Sequence, residues 1–583
     1  MIKKIIQLVL VLCMFLISGC GGGGGGSGTT TSEQKTVETP ISTETPTQTY
    51  KVTSLGEASS FLARSTFGTT IQEIEDLVKV GDYNKWIETQ FTQTPSYHID
   101  WAETNAKGVD GVGDLKDNIT HWEKYSDALS LLQRDAWLDI AVSGNDQLRQ
   151  RVAFALSEIM VISKYGSLVN YPDARMSYYD VLVKNAFGNF ETLLQDVTYH
   201  PAMGKYLSYL GNAKADSDKG THPDENYARE VMQLFTIGLY ELNLDGSNKT
   251  DSNGNTIATY TQEDIENMAK VFTGLTDQNG YFLASEGSST HKSRTESMIS
   301  YDSYHDTSEK TIFGKTISAG GTTKADINLA LNYLFNHANT APFIAKRLIQ
   351  RLVTSNPSPA YIKYVASAFN DNGQGVRGDM KAVVKAILLY KEDTTSATFG
   401  KLREPLLFVS NLFRAFNAQN TENILTQGSE KVYKYSSFNF HGTGFTQQEG
   451  ALEALTVFNY FTPEDAPDNL KKEGLAAPEF KLFGTSKLHQ LLMGLINKDD
   501  FIYDLYNITA ELQLEDEKAL LENKKYDEFL DRLDVLLLGG NMDSITKAAI
   551  KTYISQNTNL SSDILTRYVI SLVMTSPDFA IQR

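Results

Sequence analysis

The stretch His200–Gly238, HPAMGKYLSYLGNAKADSDKGTHPDENYAREVMQLFTIG, sets the architecture expected of the whole chain. In its second half Tyr227, Val231, Leu234 and Phe235 recur at i, i+4, i+7 and i+8, the spacing of one apolar helix stripe that packs inward. On the opposite side Asn226, Arg229, Glu230 and Gln233 fall at i, i+3, i+4 and i+7. An amide, a guanidinium and a carboxylate therefore share a narrow polar stripe. Pro223 suits a first helical position and Thr221 or Asp224 a cap, which starts the helix just before Asn226. His200 precedes Pro201 and is biased to extended backbone, from which an ordered loop can deliver it nearby.

That stripe has two readings. In one, Glu230 is a general base or metal ligand, Arg229 binds an anionic group, Asn226 orients a substrate, and His200 completes a catalytic set. In the other, Glu225 and Arg229 pair at i, i+4 in the favourable order, and Asn226, Glu230 and His200 tie neighbouring loops by hydrogen bonds. His305 and Asp306, with Lys310 four residues on, are candidate binding residues. Their structural reading is a loop latch onto the following strand. Neighbours in a strand point to opposite faces, so His305 and Asp306 are not automatically a dyad. His222 and Asp224 flank the helix as caps. Lys346, Arg347, Gln350 and Arg351 put positive charge on one side of a later helix, to meet a phosphate or carboxylate or to pair with nearby acids.

Working outward, the helical period dominates. Leu55 to Leu62 and Ile71 to Phe91 carry it, with Thr69 or Thr70 as caps, Gly81 as a break and a loop over Gly108 to Asp114. Leu129 to Val142 and Leu148 to Ile162 form an expected antiparallel pair turned at Ser143-Gly144-Asn145-Asp146, and Tyr178 to Tyr199 holds one or two more helices. Leu242 to Tyr260 is turn-rich and reads as a hairpin excursion. Asp251, Asn253 and Asn255 alternate there as oxygen donors, but the loop lacks the glycine and glutamate of an EF-hand. Thr261 and Asp264 form a capping box before Ile265, Met268, Ala269 and Phe272. Asp277 to Gly321 is a long Ser-, Gly- and Thr-rich segment with strand-like pieces at Lys310 to Ile317. Helices return from Ile327 to Phe416, Ile424 to Gly450 is irregular, and the remainder is helical again. No repeat period and no βαβ rhythm is present. The expectation is a mostly α fold: residues 53–583 as one large multi-helix domain, of a single body or two packed lobes, with a small β-hairpin excursion and long loops.

Residues 1–19 read as a lipoprotein-type signal peptide. Lys3 and Lys4 precede the apolar run Ile5 to Ile17, which is short for a membrane span, and Ile17-Ser18-Gly19-Cys20 fits a lipobox. Cys20 is then the lipidated N-terminus, and residues 20–52 are a flexible Gly/Ser/Thr/Pro tether. Gly21 rather than Asp follows it, which by resemblance to known lipoprotein sorting favours the outer membrane. Cys13 and Cys20 are the only cysteines among 583 residues, so no disulfide is expected to staple the mature fold. Losing the leader leaves 51 basic against 71 acidic residues. Such an acidic chain excludes nucleic acid as a natural partner.

HPAMGKYL and ENYAREVMQLFTIG, then YTQEDIENMAKVFTGL and YHDTSEKTIFG, resemble the bacterial domain-of-unknown-function 1800 family, large exported proteins with no established activity. The resemblance runs from FLARSTFG at Phe61 to the closing SPDFAIQR. It implies an exported partner protein resembling alkaline phosphatases and sulfatases. Many members carry an aromatic-His-Asn-His run in the helix that begins here at Leu148, where this chain has Leu156-Ser157-Glu158-Ile159. A histidine metal site is thereby put in doubt, and the remaining oxygen donors suit a hard divalent cation better than zinc. No cofactor is identified. The function expected is a lipid-anchored envelope protein with a binding or assembly role at the outer membrane. The alternative is an extracytoplasmic hydrolase acting on an envelope or extracellular polymer through His200, Asn226, Arg229 and Glu230.

Overall fold

Short polar caps followed by apolar residues at the helical period build nearly all of the described chain. A computed structural model describes residues 50–105, 126–278, 282, 293–420, 425–427, 430–433, 449–483, 494, 496–497 and 510–583. The leader, Cys20 and most of the tether lie outside those residues, as do the 108–114 loop and Trp122. Ser54 caps Leu55–Ser65. Thr70 and Glu73 close a capping box on Ile71–Val80, which Gly81 ends with a left-handed φ of 68°. Asp82 then caps Tyr83–Phe91. The break expected at Gly81 is where the chain turns.

The fold is mostly α, and the sheets among the described residues are all two-stranded and antiparallel. Lys310–Ile312 pairs with Lys315–Ile317, as expected for that segment. The excursion after Leu242 is held by isolated bridges, Tyr240 with Ala258, Leu242 with Asn248 and Thr250 with Thr256, rather than by regular strands. Within it Asp251 Oδ1 already accepts the Asn253 and Asn255 amides, so its carboxylate serves the turn.

All described elements lie within the unit Tyr50–Arg583, around one continuous core from Val52 to Phe579. Two helices run through that core with every residue buried: Gln147–Ser157 and Pro405–Ala415. The first ends at Ser157, five residues earlier than its periodicity suggested, because Glu158 turns out of the helix and the chain runs irregularly to Ser163. A helix buried all round must find partners for its polar side chains. Gln147 does so on the Ala141 and Gly144 carbonyls, and Arg149 on the Val183 carbonyl. Trp86, Trp101 and Trp137 pack into the same body: Trp86 against Phe61, Trp101 on Asp139 and Trp137 on the Tyr179 hydroxyl. No helix of the described residues is long and apolar enough to cross a membrane.

Candidate functional site

The organising helix spans Asn226–Gln233, opening where expected. Pro223 stands three residues outside it, and Asp224 supports its start by accepting the Asn226 amide at 2.8 Å. Tyr227, Val231 and Phe235 are fully buried, so the inward stripe is real. The polar stripe divides. Asn226 is exposed and reaches Ser208 Oγ at 3.3 Å; Arg229 pairs with Glu225 at 3.1 Å in half-open solvent. Glu230 is 6% exposed and has a buried Oε2 with no hydrogen-bond partner. Burial raises its carboxyl above the ordinary range, against the pull of Arg229. His200 lies elsewhere in the core. Its Nδ1 accepts the Ala202 amide, capping Pro201–Tyr206, and its Nε2 meets Ser177 Oγ at 3.2 Å. Burial lowers it to about 3. No side-chain hydrogen bond joins any of these four residues to another.

His305, Asp306 and Lys310 are brought together around a residue that sequence reading missed, Asp326. Its Oδ2 takes Lys310 Nζ at 2.8 Å and faces His305 Nε2 at 3.1 Å, while His305 Nδ1 rests on Thr273. Lys310 Nζ also donates to the Asp306 and Ser308 carbonyls. Asp306 itself turns to Ser308. The assembly is the loop latch: the segment before the hairpin is locked by a buried lysine whose contacts are filled.

A different arrangement lies at the floor of a cavity of about 530 Å³. Its walls are apolar, with Ile159, Ile237, Leu242, Phe343, Val457 and Phe458, and one side carries Lys346, Arg347 and Arg351 from the helix Thr340–Leu352. Glu464 meets Arg347 at 2.6 Å and Lys346 at 3.9 Å. Beneath them Arg351 holds Glu158 at 3.1 Å. Behind Glu158 stand Glu404, at the residue just before the second buried helix, and Glu449; oxygens of these three acids lie within 4.8 Å of one another. Lys401 pairs with Glu404 at 2.8 Å and with Glu479 at 3.3 Å.

Each of the three acids has one anchored and one free oxygen. Glu158 Oε1 takes Arg351, Glu404 Oε1 takes Lys401, and Glu449 Oε2 takes the Leu406 amide at the start of its helix. The other oxygens, Glu158 Oε2, Glu404 Oε2 and Glu449 Oε1, are buried without a partner. So are Nε and Nη1 of Arg151, which makes no ion pair with any of the three. Burial pushes Glu158 up to about 7, with Arg351 opposing and Glu404 adding to it. Burial, then Glu404 and Glu158, raise Glu449 far above the usual range. At Glu404 burial acts in the same sense, but Lys401, Arg151 and Arg351 outweigh it and keep it ionised.

With this geometry goes a helical body whose sequence matches, over residues 60–581, the family described as Protein of unknown function (DUF1800). The chain belongs to that family. No curated protein and no solved structure is similar enough to add to it.

Proposed function

We propose that the chain is a lipid-anchored envelope protein with a binding role at the outer membrane, and that its ligand site is the 530 Å³ cavity. The observation that carries this is the pairing of apolar walls with Lys346, Arg347 and Arg351 on one side, the chemistry that holds an apolar body bearing a carboxylate or phosphate. The export signal, the anchor at Cys20 and the exported partner resembling alkaline phosphatases and sulfatases belong to the same reading. A hard divalent cation is the cofactor class it takes.

Two experiments test it. Replacing residues 1–20 with a cleavable secretory leader that has no lipobox should move the protein from the membrane to the soluble fraction; retention in the membrane contradicts the anchor. The soluble variant should bind dodecanoate and dodecyl phosphate but not dodecanol, and Leu242→Trp, which fills the cavity, should abolish that binding. Equal binding of the alcohol, or none at all, contradicts the site.

The hydrolase reading is supported by one feature: a buried, partnerless oxygen on Glu230 with a raised pKa, as a general acid or base needs. Glu230→Gln separates the two. Turnover lost with folding unchanged supports the enzyme; ligand binding unchanged supports the binding protein.

A further inference from the structure

We propose that Glu158, Glu404 and Glu449 bind one hard divalent cation of calcium's size and ligand preference, behind the point where Glu158 lines the cavity. The site deepens the binding reading and supplies its cation, but it stands without the cavity's ligand being known.

The acids alone would not carry this. What carries it is the division of labour at each carboxylate: one oxygen is fixed by a protein donor and the other is left open. Three open oxygens on side chains that are 8%, 0% and 1% exposed are an unusual set of unmet acceptors. Each such group carries the cost of its lost hydration when nothing fills it. A single ion with metal–oxygen distances of about 2.4 Å can touch oxygens spaced within 4.8 Å. A separate void of about 10 Å³, roomy enough for one water-sized occupant, is lined by Glu158 and Glu449 together with Ser157, Asn459 and Tyr460. Glu158 faces both this void and the large cavity, which gives the ion a way in.

Charge points the same way. Counted as ionised, Glu158, Glu404, Glu449 and Glu479 outnumber Arg151, Arg351 and Lys401 by one, a deficit that a proton on Glu449 meets in the ion's absence. Arg151 contributes its charge but no bond: its Nη2 donates to the Arg351 carbonyl at 3.0 Å, and its Nε and Nη1 make no hydrogen bond. A divalent ion turns the deficit into a small excess. Together with Arg351 on the cavity wall, that excess would attract the anionic end of a bound molecule. All-oxygen donors favour calcium, magnesium or manganese over zinc.

The test uses the full-length protein in detergent micelles, stripped with chelator and titrated calorimetrically with calcium at neutral pH. One calcium per chain is expected. Glu158→Gln and Glu449→Gln should each weaken it by roughly tenfold or more, while Asp251→Asn in the exposed turn should leave it unchanged. The proposal is overturned if calcium, magnesium and manganese all fail to bind, which would leave a proton as the missing charge. It is equally overturned if binding survives both glutamine variants or is lost with Asp251. Should a variant fail to fold, the wild-type thermal midpoint in calcium against chelator decides: a rise supports the site and no change overturns it. No anionic amphiphile is present in any arm, so failure here is distinct from failure of the cavity's ligand reading.

Discussion

The latch around Asp326 and the acids around Glu158 are both buried charge assemblies, and they end differently. In the latch a lysine with three acceptors, a histidine with both ring nitrogens engaged and one carboxylate satisfy each other. In the acid cluster three carboxylates keep an open oxygen apiece, and a neighbouring guanidinium keeps two open nitrogens. A closed network stabilises one loop geometry, whereas an open one costs stability and is retained where something must bind. The contrast assigns structure to the first and function to the second.

Breaking the latch should have the largest effect. Lys310→Met strands the Asp326 carboxylate in the core and should cost about 3–5 kcal/mol in denaturant unfolding. A loss below about 1 kcal/mol would show that the latch is not what holds the segment. Next comes the acid limb of stability. Burial holds His200 down to about 3 in the folded state, against an ordinary value of 6.5. Its contribution is therefore complete above 6.5 and lost as pH falls toward 3, at up to about 1.4 kcal/mol per pH unit. His200→Asn keeps an acceptor for the Ala202 amide and should flatten that limb in unfolding curves taken between pH 7 and 4.

Glu449→Gln is the direct counterpart of Lys310→Met. It replaces a carboxyl that burial already holds neutral with an amide of the same shape, so in chelator it should change stability by no more than about 1 kcal/mol, in either direction. A loss as large as that of Lys310→Met would erase the distinction between the two assemblies. The smallest effect belongs to Arg229→Ala. Its pair with Glu225 is 40% and 37% exposed, and thermal unfolding should register no more than about 0.5 kcal/mol.

Much of the fold was legible because helix periodicity is local. Tyr227, Val231 and Phe235 announce their own burial, and Thr70-x-x-Glu73 and Thr261-x-x-Asp264 announce their own caps. The sites were legible only in pieces. His305 and Lys310 were visible as a pair, but Asp326, which joins them, lies 21 residues along from His305 and on another element. Arg351 stood out on a cationic helix face and Glu158 as a substitution in a family motif. Their convergence with Glu404 and Glu449 depends on long-range packing that brings the end of one buried helix near the start of another, which no local spacing encodes. One signal was available: Lys401 and Glu404 at i, i+3 directly before Pro405, a charged pair set against the start of a largely apolar helix.

The central claim is that the open carboxylates hold an ion. The most direct measurement is anomalous diffraction from crystals of the protein soaked in manganese. The account predicts one strong peak between Glu158, Glu404 and Glu449, at about 2.2–2.5 Å from an oxygen of each. A peak at another group of acids, or ordered water alone among those three side chains in the presence of manganese, would contradict it.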